Sequence, residues 1–485
     1  MERIQDVYIR GIAPFAIKNR EKSRTVRNIL AAVLIFLIFG IAFTNMIDKK
    51  LLPSDSDGVA SILYSLKHLD EGTVSIISSI LLVIVLLLIA ARPLKKAKWN
   101  WYFLITWYLF CLLIIMAGLS HDIGTGVLAT YISLMIILPA YTIVLSDNND
   151  TKAFYDMLSI VIMLFVLIVL LIEMIIFPYE NADVNIQTVI GGRYFGITIN
   201  PNRLGEFAVM GIICSCYIAY RKNNVLRWIA VVNAGLVIGV CILTISRTAL
   251  ISSVLVLAAW LIICFREKTG IKNIMIMVLV IAICAVAMYE ITTKGTDPLH
   301  IRSQVQAPML VKADDGANSK KDSSAVTERF FKEGDLDKVS SGRLGLWKMG
   351  MEKMTLAGND VSYAYPMRVL NSEGTGYSYM NRMHNLILEY AFRCGWPVGV
   401  ILLGIEIWAL VFCLVMLFGR KKRLSDARVF SVLTILAFIV ESNLEPLCDV
   451  FIRTLLLLFY LAIIPLFSFA SGFDIRSWSR KLKSS

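Results

Sequence analysis

The chain has 485 residues, of which 57% are hydrophobic and 17% charged, a balance too apolar for a string of soluble domains and unlike disordered or fibrous chains. Its net charge of +12 comes from 48 Lys and Arg against 36 Asp and Glu, an excess that in a membrane protein reports topology rather than a nucleic-acid partner. Nine cysteines lie in or beside apolar runs with no paired spacing in a polar loop, which argues against a disulfide framework or a cysteine-based zinc site.

The composition predicts an all-α polytopic membrane protein. Residues 1–28 carry seven basic residues and lack the small-residue cleavage site of a secretory signal, so they read as a cytoplasmic segment ahead of a retained helix. A spanning helix needs about 20 mostly apolar residues. Runs at 29–47, 72–91, 99–120, 123–146, 157–178, 204–220, 228–246, 248–265 and 273–291 predict nine helices within 29–291. Residues 292–383 form one large polar loop, and runs at 386–419, 429–440 and 454–473 place three more helices within 384–473, ahead of a tail at 474–485. About twelve spans follow, with the large loop between the ninth and tenth. The run at 429–440 is short, and its alternative is a re-entrant segment.

With both termini cytoplasmic, the inner loops receive Arg92/Lys95/Lys96/Lys98, Arg221/Lys222/Arg227, Arg266/Lys268/Lys272, Arg420–Arg423 with Arg428, and the basic tail. That is the positive-inside pattern, with 147–152 uninformative. His68, His121, His300 and His384 then face outward, as does the large loop. Within the loop, 312–338 reads as a solvated insert and its Asp314-Asp315 pair as solvated surface. The segment after it, with Leu344, Leu346, Trp347, Met349, Met351 and Met354 among charges, reads as an amphipathic helix on the membrane surface or as lid packing.

Charges at the ends of spans need a partner, a wet cavity or a role. Arg193 sits in Gly191-Gly192-Arg193-Tyr194-Phe195-Gly196, followed by Asn200-Pro201-Asn202-Arg203, a shaped turn before the next helix. For Arg193 and Arg203 the alternative to function is interfacial snorkelling. Ser246-Arg247-Thr248 is the whole polar connection between two apolar runs. Its guanidinium offers a planar fork suited to phosphate oxygens, the alternatives being a lipid headgroup or an outer carboxylate such as Glu441 or Glu445. His384 with Asn385 opens the tenth span, with Glu389 and Arg393 further along. Its imidazole can accept a proton near neutral pH, or serve only as an interfacial helix cap.

Four stretches together resemble the O-antigen ligase and O-antigen polymerase superfamily of bacterial membrane enzymes: Gly196–Gly205 (GITINPNRLG), Ser246–Leu250 (SRTAL), Ser341–Trp347 (SGRLGLW), and His384-Asn385 running to Gly395 and Gly399. The resemblance is strongest over 190–415. One departure is that three residues, including Pro397, separate the two glycines, where the family commonly has two. The resemblance implies a C-type glycosyltransferase fold in the bacterial cytoplasmic membrane and a site on its extracytoplasmic face. It also implies a glycan donor on undecaprenyl pyrophosphate, a glycan acceptor, a chain-length regulator as partner, and transfer without cofactor or metal. On it, His384 is the general base, Arg247 and Arg193 grip the pyrophosphate, Arg343 or Arg203 is a third contact, and Asn202 and Asn385 bind substrate.

Polymerase and ligase share this donor chemistry and differ in acceptor. The Ile, Lys and Asn content points to an organism of low GC content with a single membrane, and hence towards polymerase, because a ligase needs an outer-membrane lipid. A lipid-linked oligosaccharide flippase is the reading from another class. It would place polar residues near the bilayer midplane, whereas here they gather at the outer ends.

Overall fold

A computed structural model describes residues 76–77, 79–80, 83–84, 99–121, 125–144, 148–176, 189–190, 193–196, 198, 200–267, 269–294, 343–359, 368–370, 377–379, 383–419, 426–445 and 454–468. The segments expected at 1–28, 29–47, 312–338 and 474–485, and most of 72–91, lie outside these residues.

The described elements are helices α1 (Trp101–His121), α2 (Thr125–Val144), α3 (Asn148–Ile176), α4 (Pro201–Arg221), α5 (Val225–Thr244), α6 (Arg247–Arg266), α7 (Ile271–Lys294), α8 (Arg343–Glu352), α9 (Leu386–Cys394), α10 (Trp396–Phe418), α11 (Asp426–Leu444) and α12 (Thr454–Ala462), the last followed by a 3-10 turn at Ile464–Phe467. Two short antiparallel hairpins, β1–β2 (Val189–Ile190 with Arg193–Tyr194) and β3–β4 (Arg368–Leu370 with Tyr377–Tyr379), lie between helices. Eight of the described helices are long and apolar enough to cross a membrane, and Val127–Thr142 and Leu455–Phe467 are shorter apolar segments. The chain is a polytopic, mostly helical membrane protein.

Local chemistry sets several helix ends. Asn200 caps α4, its Oδ1 accepting from Arg203 N at 3.1 Å, with Pro201 in the first turn. Asn224 caps α5 in the same way through Leu226 N at 3.2 Å. Helix α5 stops at Ile245, whose φ of 46° is left-handed, and α6 starts two residues later. The apolar run 386–419, read as one span, is divided. Gly395 takes φ +96° and separates the nine-residue α9 from α10. Any Cβ on Gly395 would strike the Leu356 carbonyl, and any Cβ on Gly358 (φ +95°) the Arg393 carbonyl. Around these glycines Trp396 N donates to Thr355 O at 3.1 Å, and Asn359 N to Phe392 O at 3.0 Å. The segment 353–359 is therefore clasped to the break between α9 and α10.

Helix α4 runs through the centre, with 89% of its span buried, and packs on α3, α5, α6 and α11. Gly235 and Gly239 bring α7 against α5: a Cβ on either would lie 2.6 Å from the Ile281 or Ala285 carbonyl, a small-residue seam of the kind that lets membrane helices approach closely. The outward faces remain apolar, as with Met275, Leu279 and Ile283 on α7 and Val400, Leu403 and Ile407 on α10, which suits lipid as the solvent.

Gly205 does the same between α4 and α6. A Cβ there would lie 2.7 Å from Ala249 Cβ and 3.2 Å from Ser246 Cβ. Because Ala249 has no flexible end to withdraw, Gly205→Val should overpack this contact and cost about 1–3 kcal/mol. Thermal unfolding in detergent measures it; an unchanged midpoint would mean that the two helices have slack.

Among the described residues, the basic side chains gather at the two ends of the bundle. At one end, Asp156 pairs with Lys222 and lies 3.5 Å from Arg221. Arg266 donates to the carbonyls of Met416 and Leu417, and Arg227 donates to Lys222 O at 2.7 Å. At the other end lie Arg193, Asn202, Arg247, Arg343 and His384.

Candidate active site

The close contact at Gly205 joins two of the stretches singled out in the sequence, because it sets the Asn200–Arg203 start of α4 beside the Ser246-Arg247-Thr248 start of α6. Strand β2 lays Arg193 across the same end of the bundle. Its Nε donates to Thr244 O at the end of α5 (3.0 Å), and its Nη2 donates to Asn202 Oδ1 at 2.5 Å. Asn202 passes the connection on, its Nδ2 donating to Glu445 Oε1 at 2.9 Å.

Glu445, directly after α11, is the junction of this end of the molecule. Arg343 at the start of α8 places Nη2 3.1 Å from the same Oε1 and donates from Nη1 to the neighbouring Leu444 carbonyl. His384 brings Nδ1 to 3.7 Å from Oε2. Four residues proposed from the sequence, Arg193, Asn202, Arg343 and His384, thus converge on one carboxylate, Arg193 through Asn202. Burial pushes the Glu445 carboxyl up, but the approach of His384 and the Arg343 guanidinium outweigh it and hold the carboxyl below its ordinary value.

His384 stands in an unusual backbone. Its φ of 51° is left-handed, a conformation that costs a non-glycine residue about 1–3 kcal/mol and survives only where the surroundings impose it. They do so on both sides. Met383 N donates to Glu389 Oε2 at 2.7 Å, and Met383 O accepts from Trp347 Nε1 at 2.7 Å. Asn385 caps α9 through Leu388 N at 3.0 Å. Glu389, fully buried, is itself held by Arg393 Nε at 2.6 Å. Leu346 of α8 packs with Met383 and Phe392, while Leu344 and Met351 stay exposed. Helix α8 is therefore packed on α9, the second of its two sequence readings, and also keeps an apolar outer edge.

The remaining predicted residues divide. Arg247, half-buried at the start of α6, lies within the electrostatic reach of Arg343, each guanidinium repelling the other. Arg203 pairs with Glu206 at 3.9 Å, one turn further along α4. Asn385 uses its Nδ2 on Asn443, 3.2 Å from both Oδ1 and the carbonyl, so its amide ties α9 to α11. Asn443 continues inward to Glu406 Oε2 at 3.1 Å, and Ser442 donates to Glu406 Oε1 at 3.1 Å.

Sequence reasoning named Glu445 only as one carboxylate that might neutralise Arg247, and gave no role to Glu389, Trp347 or Asn443. A signal for Glu445 exists. Glu441 and Glu445 lie four apart at the end of an apolar run, and acids at that depth call for named partners.

With guanidinium groups, a histidine and a carboxylate at one end of a helical bundle, the arrangement can bind a multiply charged anion and move a proton beside it. Residues 232–403 match a family described as O-antigen ligase. The match covers Arg247, Arg343, His384 and Asn385 and supports the superfamily that the sequence resembles. Arg193, Asn202, Arg203 and Glu445 lie outside the matched segment. No curated protein matches the chain.

Proposed function

We propose, taking the O-antigen ligase and polymerase superfamily as the premise, that this protein transfers a glycan from undecaprenyl pyrophosphate to a sugar hydroxyl, as the repeat-unit polymerase of a surface polysaccharide. The observation that carries the reading is the convergence of Arg343, His384 and the Arg193–Asn202 pair on Glu445, with Arg247 within the electrostatic reach of Arg343.

Pyrophosphate is already a good leaving group, so the demands on the enzyme are to stabilise negative charge on it and to deprotonate the acceptor. His384 takes the proton of the acceptor hydroxyl while that oxygen bonds to the anomeric carbon. The bond from that carbon to the diphosphate breaks, and its electron pair leaves on the diphosphate. Arg247, Arg343 and Arg193 receive the charge, and Arg203, one residue beyond Asn202, is a further contact. Guanidinium groups can carry out this task without a metal, because the diphosphate matches their paired donors. The site end is taken to face outward, since Arg221, Lys222, Arg227 and Arg266 gather at the opposite end, as the positive-inside rule requires of a cytoplasmic face. With the even number of spans expected from the sequence, both chain termini face the cytoplasm.

The test is to incubate the purified protein with lipid-linked repeat units alone. A ladder of lengthening glycans supports the polymerase. The family description favours a second reading, ligase, under which the ladder is missing and transfer appears only when a lipid-core oligosaccharide is supplied. Absence of transfer in both arms would remove the enzyme altogether. Either reaction should run unchanged in EDTA, and a loss that magnesium restores would overturn the metal-independent mechanism.

A further inference from the structure

Glu445 stands between the two halves of the chemistry proposed above. Its Oε2 faces His384 Nδ1 at 3.7 Å, whereas its Oε1 takes Arg343 Nη2 at 3.1 Å and Asn202 Nδ2 at 2.9 Å. Asn202 in turn holds Arg193. One carboxylate is therefore shared between the base and the anion-gripping side chains. Burial works against the charge on this carboxylate. Such a carboxylate needs positive charge beside it, and two groups can supply it, the Arg343 guanidinium and a protonated His384.

We propose that Glu445 is a positioning residue that exchanges Arg343 for His384 during the reaction. A diphosphate carries more charge than a carboxylate and competes for Arg343 and, through Asn202, for Arg193. As those donors turn to the diphosphate, Glu445 is left to the imidazole. It then orients His384 with Nδ1 inward and Nε2 toward the acceptor, and balances the imidazolium formed when Nε2 takes the hydroxyl proton. Glu445 itself stays ionised and exchanges no proton. Donor binding and base orientation are thereby linked through one side chain, so the base is set for deprotonation only once the diphosphate is in place.

The inference rests on the proposed transfer reaction, and its test separates the two. Glu445→Gln keeps the shape of the side chain and removes its charge. In the purified protein kcat should fall about 10- to 100-fold, the usual cost of losing a residue that orients a catalytic group. Binding of undecaprenyl pyrophosphate should be unchanged or tighter, because the competitor for Arg343 is weakened. Glu445→Asp should recover part of kcat. Added to His384→Ala, Glu445→Gln should cost little more, because the residue acts through the imidazole.

A carboxylate that merely braced the fold would behave differently: kcat, diphosphate binding and thermal stability would fall together, Asp would not rescue, and the double variant would be worse than His384→Ala. That pattern, or an unchanged kcat in Glu445→Gln, overturns the proposal. Should the Gln variant fail to accumulate, the Asp variant decides the matter, lowered kcat with retained binding of undecaprenyl pyrophosphate supporting the exchange and parallel loss of both overturning it. Full activity of His384→Ala would instead remove the transfer mechanism on which the proposal rests.

Discussion

Replacing His384 with alanine is expected to cut glycan transfer by about 100-fold or more, the range for a lost general base, in protein that still inserts and accumulates. The expectation of an intact fold comes from how the residue is held. The contacts that impose its left-handed backbone belong to Met383, which is bonded by Glu389 and Trp347, and to the Asn385 cap. None of them uses the imidazole. Its side chain is 27% exposed, so alanine leaves no sealed cavity, and φ of 51°, which histidine tolerates better than alanine, adds only modest strain to the variant. Initial rates of transfer from a lipid-linked donor, compared at equal amounts of protein, are the measurement. A variant that extends glycan at the parent rate removes His384 from the mechanism.

Arg247→Lys is expected to be nearly as damaging as Arg247→Ala, each losing about 100- to 1,000-fold, the usual cost of removing a donor aimed at developing negative charge. Arg247 opens α6, where unsatisfied backbone N–H groups already favour an anion. Its guanidinium lies within the electrostatic reach of Arg343, so one diphosphate can engage both groups. Lysine restores the charge but cannot place two parallel N–H groups on two phosphate oxygens. Rates at saturating donor, with separate measurement of diphosphate affinity, decide between the possibilities. A lysine variant close to the parent would leave only a requirement for charge, and an alanine variant close to the parent would take Arg247 out of the site.

The helices of the bundle were legible as apolar runs because lipid makes the hydropathy signal nearly independent of packing. Where the reading fell short, partners distant in sequence decided the outcome. The run at 429–440 reads as a span with bounds too short, and α11 covers 426–444, since Ser252 donates to Glu441 at 3.2 Å and Glu406 receives both Ser442 and Asn443. Interior partners make those polar residues part of the helix, whereas hydropathy treats them as its end. At Gly395 the sequence marks a bend, with Pro397 two residues on, but the full break depends on Gly358 lying against Arg393, a partner distant in sequence. In the candidate site the cations and the histidine were legible as residue types out of place in or beside hydrocarbon. Glu445 was legible only as a counter-charge for Arg247, because its place as a junction depends on three elements that meet only in three dimensions.

The clasp of Gly358 on the break between α9 and α10 has a mechanical consequence. Arg343 begins α8, the clasped segment follows α8 directly, and α8 is also bolted to Met383 beside the histidine. Arg343 and His384 thus ride on one rigid plate, and Arg193, Asn202 and Arg247 on another built from α4 to α6, with Glu445 as the rivet along the seam.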